Sequence, residues 1–412
     1  MRIELKSGRK AMFYVAAILV GFCGIAEMGV NPALNGIFET YGYGFTGNYV
    51  VSAPAIWMAI SAFICAALMA RITKKKLLII GIIIFGISSI FCAALADAWY
   101  FAVMRSLMGV GEGITNTVIL AYIAQMYMDE KKHAQFIGIW NLFYTIFGAI
   151  LSLLGGYFAY PDWTRLFVVF LPTIVVLVAV MIFLPELGLE KAPVPIQSSG
   201  TFDTAEKEKF GGLFWAFYIS FLVFSLMVGF YMYFTSEYVE VTGLGSYDTT
   251  GAIMMVYTLA GAAISIFFGK IFMALKKKTA IITNAVAIVA LLIMFVSQGS
   301  LATTYIASIL LGLAYGAYFP YMFTMVVEVA PLSKVDRAIG MITGGYSIMF
   351  FAIAYIVNAL RPLLSPEMFV VTPQYLFFAL LGLAPLIIEI ATMPAYNRLP
   401  KQERTWDEQA QS

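Results

Sequence analysis

The chain has 412 residues, of which 61% are apolar and 12% charged, with a formal net charge of +2 and a mean hydropathy of +0.88. A soluble domain carries about 25% charged residues, so this composition excludes a water-soluble globular protein. The small net charge points to no partner, because the charges are sorted by location, and no nucleic acid is expected. Cys23, Cys65 and Cys92 lie in apolar runs without CxxC spacing. They read as small buried hydrophobes, so neither a disulfide, a metal site nor any other cofactor is expected.

The apolar residues come in runs of about 20, the length a helix needs to cross the hydrocarbon core. Arg2, Lys6, Arg9 and Lys10 precede an apolar run with no small-residue cleavage site. That pattern predicts a first membrane helix, not a removable signal peptide. The first six spans are expected over 11–35, 49–70, 77–96, 99–127, 136–159 and 165–185. Residues 186–211, with Pro193, Pro195, Ser198, Ser199 and the charged run Glu206–Lys209, form the longest polar stretch and read as a flexible linker. Six further spans are expected over 212–236, 249–273, 279–297, 303–328, 338–360 and 374–396. The fold class is thus an all-α membrane protein of twelve transmembrane helices in two pseudo-symmetric six-helix bundles. Its parts are an N-terminal bundle (1–185), the linker (186–211), a C-terminal bundle (212–398) and a tail (399–412).

With an even number of spans both termini share a side. All but three of the 25 lysines and arginines fall on that side, in the termini, the linker and loops such as Arg71–Lys76 and Lys276–Lys278. The exceptions are Arg165 and Arg361, expected on the opposite side, and Arg105 inside a span. This bias predicts cytoplasmic termini. The halves also repeat. Glu39-x-x-Gly42-x-Gly44 returns as Glu240-x-x-Gly243-x-Gly245, Lys74–Lys76 as Lys276–Lys278, and Gly109 with Gly113 as Gly312 with Gly316. Two like halves joined by a linker are the organisation of transporters that rock around a midplane site.

On this layout the chain resembles the major facilitator superfamily over essentially its whole length. The segment from Ala66 to Lys75 is similar to that superfamily's signature loop between helices 2 and 3. Arg71, Lys74 and Lys75 fit the signature, while Ala66, Ala70 and Thr73 replace its Gly, Asp and Gly. Arg105-x-x-x-Gly109-x-Gly111-Glu112-Gly113 resembles the helix-4 pattern of organic anion:proton symporters and spinster-like transporters. The Gly-Pro helix-5 motif of drug/proton antiporters is missing between Gly148 and Gly156, which argues against a standard multidrug pump.

The ionisable residues that stand out inside spans are Glu27, Arg105 and Glu112, each costing on the order of 3 kcal/mol at membrane depth. Glu27 lies roughly 24 Å from the cytoplasmic side and Arg105 roughly 9 Å from the outer side, counting about 1.5 Å per residue. In a core about 30 Å thick these levels nearly coincide. The two can pair if the first and fourth spans are neighbours, and the resemblance implies that both line the central cavity. Glu112 shares the Arg105 face of its helix, about 10.5 Å away along the axis. One cation among two carboxylates leaves an acid that burial drives toward its protonated form. Glu112 is therefore expected to carry a proton, with Glu27 and Arg105 a switchable pair and an anionic substrate competing for Arg105. The alternative is a permanent ion pair that fixes helix packing, with the glycines around Glu112 a packing face.

Asn31, Trp57, Asn141, Tyr144, Tyr257, Tyr315 and Tyr346 are candidate substrate-binding residues, each also readable as ordinary helix packing or interface anchoring. The C-terminal half shows no deep Lys or Arg, so charge is expected on one half and aromatics on the other. Asp97 reads as solvated at a span end; Glu328 and Glu389 read as partners of loop lysines. An intramembrane enzyme is disfavoured, because His133, in a basic loop, is the only histidine and no nucleophile or metal spacing occurs. A receptor of the same fold is disfavoured because the linker and the tail after Pro400 offer no output domain. What remains is a proton-coupled secondary transporter of a small organic solute, an organic anion by preference, acting as a monomer in the cytoplasmic membrane. An exporter of lipophilic compounds and an uncoupled uniporter are the alternatives.

Overall fold

The computed structural model describes residues 7–126, 130–189, 209–297, 299–331, 334–364 and 372–398. Most of the linker, the tail, and the basic residues Arg2, Lys6, Lys191, Lys207, Lys401 and Arg404 lie outside the described residues, as do the side chains of Lys131, Lys132 and His133. Among the described residues every regular element is helical. Ten helices are long and apolar enough to cross a bilayer, and an eleventh crossing is the pair Ala11–Cys23 and Glu27–Tyr41, bent by 47°. Lys74–Ile90, with 17 residues, fills the remaining place in the order; its length of about 26 Å falls just short of the core thickness.

The other crossings follow the expected order: Phe45–Leu68, Ala98–Met126, Glu130–Ala159, Trp163–Phe183, Gly212–Val241, Tyr247–Leu275, Lys278–Val296, Leu301–Val329, Val335–Leu364 and Thr372–Asn397. Three boundaries correct the sequence reading. The fifth span starts at Glu130, so the segment holding His133 is helix, not loop. The seventh runs to Val241 and encloses Glu237 and Glu240. The eleventh runs to Leu364 and encloses Arg361, which is 2% exposed, because Glu237 and Asn358 bind its guanidinium within the bundle. Asp97 is exposed and accepts from the Tyr100 N–H, holding the start of the fourth span. Glu389 meets Lys277 at 3.4 Å, and Glu328 accepts from the Tyr396 hydroxyl.

The repeat seen in the sequence is a repeat of packing. Gly109 and Gly113 of the fourth span lie on the backbone of Pro54 and Met58 in the second: a Cβ at either would come within 2.4 or 2.3 Å of a carbonyl oxygen. Gly312 and Gly316 of the tenth span lie in the same way on Tyr257 and Gly261 in the eighth, with a Cβ 2.2 Å from a carbonyl oxygen at both. Gly42 and Gly243, which follow the paired glutamates, have φ of +80° and +69°, a left-handed turn that glycine enters without strain and that ends the helix.

One end of the bundle carries the basic loops; the other is called here the far end. Toward the far end the halves are tied by side chains. Asn35 donates to Glu240 at 2.5 Å, Ser236 to the Pro32 carbonyl at 2.5 Å, and Asn358 to Asn48 at 2.5 Å. Phe38 stacks on Phe234, and the Arg361 guanidinium lies 4.4 Å from the centre of the Tyr43 ring. Toward the basic end, Gly138, Gly269, Gly340 and Gly344 border open space.

Replacing Gly316 by valine forces the eighth and tenth spans apart and is expected to destabilise the protein by about 1–3 kcal/mol. Gly340→Ala, which meets nothing and removes glycine from a helix, is expected to be neutral or to stabilise by up to about 1 kcal/mol. Thermal unfolding of the two purified variants checks the contrast.

Candidate functional site

The site begins where the first span breaks. Gly24, Met28 and Gly29 donate to carbonyls only three residues back, so the regular ladder is lost between Cys23 and Glu27. The freed Gly24 carbonyl accepts from Asn116 Nδ2 at 2.8 Å and from the Tyr144 hydroxyl at 2.6 Å. A side chain at Gly24 would occupy the Asn116 amide, 2.0 Å from its Cβ position. On the other side of the break, the N–H groups of Ala26 and Glu27 point to the Glu112 carboxylate. Membrane-embedded backbone tolerates such an interruption only when its polar groups find partners inside the protein, and these side chains supply them.

Arg105 sits beside this break and is fully buried. Its Nη1 and Nη2 each donate at 2.8 Å to one carboxylate oxygen of Glu27. Nε donates to the Val50 carbonyl at 3.0 Å, Nη2 to Val51 at 3.1 Å and Nη1 to Met108 Sδ at 3.5 Å. The Val50 carbonyl is available because Pro54, four residues on, has no N–H to offer it. All five guanidinium hydrogens thus have acceptors. Glu27, with 22% of its side chain exposed, is the open face of the pair, and Arg105 is sealed behind it. Glu112 is 2% exposed, and its Oε2 has no hydrogen-bond partner.

The predicted lining residues divide into three groups. Tyr257, Tyr315 and Tyr346 come together: Tyr315 and Tyr346 share a hydrogen bond of 3.2 Å, and Tyr257 stacks on Tyr315. Tyr144 reaches this cluster from the other half, within electrostatic range of Tyr315 and of Glu112. Asn31 is buried in the short 3-10 turn after the break, and neither its amide oxygen nor its nitrogen has a partner. Trp57 and Asn141 stand apart. Trp57 donates to the Tyr49 hydroxyl on another face of the bundle, and Asn141 is exposed on the basic side of the fifth span.

Sequence reading missed several members. Tyr233 of the seventh span, counted in the sequence only among the tyrosines of the C-terminal half and not as a site residue, lies in electrostatic range of Glu27, Arg105 and Glu112. Asn116, four residues past Glu112, carried a signal as an amide deep in an apolar helix. The C-terminal half does hold a buried cation, at the far end of its eleventh span, where the sequence reading had placed it in a loop. Arg361 binds Glu237 through both terminal nitrogens, and both residues are at most 3% exposed. Glu237 was visible as an acid inside a long apolar run, but Arg361 was assigned to a loop and the pair went unseen.

Removing the Glu27 carboxylate strands a buried guanidinium, so Glu27→Ala is expected to cost about 3–5 kcal/mol, and joint replacement of Glu27 and Arg105 by leucine to recover most of that loss. Unfolding midpoints of the single and double variants in detergent measure it. Failure of the double variant to recover would refute the pairing as the source of the loss.

Known proteins resemble this chain in sequence and in fold. The methylenomycin A resistance protein of Bacillus subtilis is 25% identical over 145 residues, 35% of this chain and 31% of that protein. The galactose-proton symporter of Escherichia coli K12 is 28% identical over 197 residues, 44% of this chain and 40% of that protein. The chain thus matches well under half the length of these curated relatives. A bacterial homologue of the human lysosomal transporter Spinster, solved in an inward-facing, unoccupied conformation, superposes with a TM-score of 0.73 at 15% identity, over 95% of this chain and 97% of the other. At that identity the likeness speaks to fold alone. Over residues 16–354 and again over 244–405 the sequence matches the family model of the Major Facilitator Superfamily, and the chain belongs to that superfamily of multi-pass membrane transporters, not to an enzyme family.

Proposed function

We propose that the chain is a proton-coupled secondary transporter that moves a small organic solute across the cytoplasmic membrane by alternating access. In this reading 1–185 and 212–398 are the moving units, joined by the linker 186–211, and the tail 399–412 and both termini are cytoplasmic. The end that carries the basic loops then faces the cytoplasm. The protein acts as a monomer, with the bilayer, protons and its solute as partners.

One observation carries the proton-coupling reading: Glu112 is buried against a broken helix with one oxygen on backbone N–H groups and the other unpartnered. Oε2, buried and without a partner, is where a proton adds. Glu27 is the first residue of the helix after the break. A change of charge at Glu112 therefore acts on the backbone that positions Glu27 against Arg105. An organic anion reaches Arg105 once Glu27 leaves it, a competition of carboxylates for one bidentate partner.

A second reading, export of a lipophilic compound, is favoured by the saturation of Arg105 and by the ring cluster of Tyr257, Tyr315 and Tyr346. The resistance protein among the relatives is consistent with it. Thermal-shift measurements with aromatic carboxylates and with lipophilic cations separate the two, since a ligand raises the midpoint of the state it binds. The first reading expects the acids to stabilise, the second the cations.

For coupling, reconstituted vesicles with an imposed pH gradient give the test. Glu112→Gln is expected to reduce gradient-driven accumulation by about tenfold or more, equivalent to at least about 1.4 kcal/mol of lost coupling, while exchange without a gradient persists. Undiminished accumulation by that variant would remove Glu112 from the proton path.

A further inference from the structure

A second cavity lies outside the Arg105 cluster, between the far-end halves of the second and fourth spans. It encloses about 480 Å³, within the range of about 300–1,000 Å³ common for small-molecule sites. Phe45, Tyr49, Trp57, Trp99, Val103 and Ser106 are among its lining residues. Phe45 and Trp99 stand at the far-end starts of their helices, and Trp57, twelve residues past Phe45, lies about 18 Å deeper. The cavity therefore runs from the membrane interface to near the midplane of a core about 30 Å thick. Phe45 and Trp99 are 74% and 78% exposed, so its mouth opens to the bilayer.

Its polar floor has a fixed direction. Trp57 Nε1 donates to the Tyr49 hydroxyl at 3.0 Å. The Ser106 hydroxyl donates to the Ala102 carbonyl at 2.7 Å. In the Tyr49–Ser106 bond of 3.0 Å, Tyr49 is then the donor, because the serine hydrogen is already used. All three side-chain hydrogens are spent, and lone pairs on the tyrosine and serine oxygens remain. Arg105 adjoins Ser106 in sequence, but its guanidinium is saturated by Glu27, Val50, Val51 and Met108 and offers the cavity no charge. A carboxylate entering here would find no donor. A hydroxyl or ammonium would find acceptors, and an ammonium would also find two tryptophans and a tyrosine in the lining. The walls are held in place from the other half of the protein, with Phe45 against Tyr355 and Tyr49 against Phe351, so little ordering opposes binding.

We propose that this cavity is a binding site, distinct from the Arg105 cluster, for an apolar molecule with a hydrogen-bond-donating head, a lipophilic amine or alcohol that enters from the bilayer. The proposal is independent of proton coupling and of the solute carried at the central site.

The test uses the full chain in phosphatidylcholine nanodiscs and a dodecylamine bearing a photoreactive diazirine on its chain, with labelled residues mapped by mass spectrometry. Label is expected to concentrate on 45–57 and 99–110. Unlabelled dodecylamine and dodecanol should each suppress it by about fivefold, near 1 kcal/mol of competition, with dodecanoate of equal chain length leaving it nearly unchanged. Val103→Trp, which fills the cavity from a lipid-facing position, should abolish the concentrated label without moving the unfolding midpoint. Tyr49→Phe supplies an independent arm: it removes an acceptor, and should weaken competition by dodecanol. Label spread evenly over the membrane-facing helices, absence of label, label indifferent to Val103→Trp, or competition by dodecanoate equal to that of dodecylamine would each overturn the proposal.

Discussion

A guanidinium placed in hydrocarbon must have every hydrogen accepted, and much of the N-terminal half is arranged around that demand for Arg105. Two acceptors come from Glu27, and Met108 supplies a third from the same helix as the arginine. Two more are backbone carbonyls of the second span, one of them released by Pro54. The proline is thus part of the ion pair, although it touches no charge. Glu27 reaches the pair from the start of a half-helix, and the half-helix exists because the first span breaks at Gly24. The break in turn opens a carbonyl for Asn116 and Tyr144 and N–H groups for Glu112. In low dielectric each of these groups is expensive to leave unpaired, so Glu27, Arg105, Glu112, Asn116, Tyr144 and the break form one interdependent set.

The C-terminal half solves a related problem differently. Its buried guanidinium, Arg361, lies at the far end of the eleventh span and binds Glu237 of the seventh. It also lies over Tyr43 of the opposite half, so this pair contributes to the contact between halves, whereas the Arg105 pair belongs to one half alone. The symmetry of the fold is therefore strongest in the backbone, where glycines of the fourth and tenth spans seat on the second and eighth in matching fashion. It is weaker in the charges.

The architecture was legible because bilayer thickness imposes a length on apolar runs and because lysine and arginine are sorted by side. The paired Gly109, Gly113, Gly312 and Gly316 were legible as a repeat and proved to mark the same close crossing twice. Glu27 and Arg105 could be matched by depth alone, since two charges at one level in hydrocarbon have reason to meet. Depth could not reveal that two carbonyls would complete the shell of Arg105, because one of them is freed by the N–H that Pro54 lacks. Nor could it separate Trp57 from the tyrosine cluster, because membership of a cavity depends on azimuth, which an apolar helix with little amphipathic contrast does not display. Arg361 was misplaced for a simple reason: an arginine next to a proline near the end of a span reads equally well as loop.

The fifth and eighth spans meet across the two halves through Gly156 and Gly251, with backbone lying directly on backbone. Apart from the Ser152 hydroxyl, which donates to the Gly251 carbonyl at 3.2 Å, this contact is made of main chain, so tilting of the two rods on it would ask few side chains to find a new socket. Resistance to such tilting is then concentrated at the rim, where Asn35, Glu240, Asn48 and Asn358 form discrete polar bonds. In the proposed rocking of the halves, such a contact would serve as the pivot and these polar bonds as the latch.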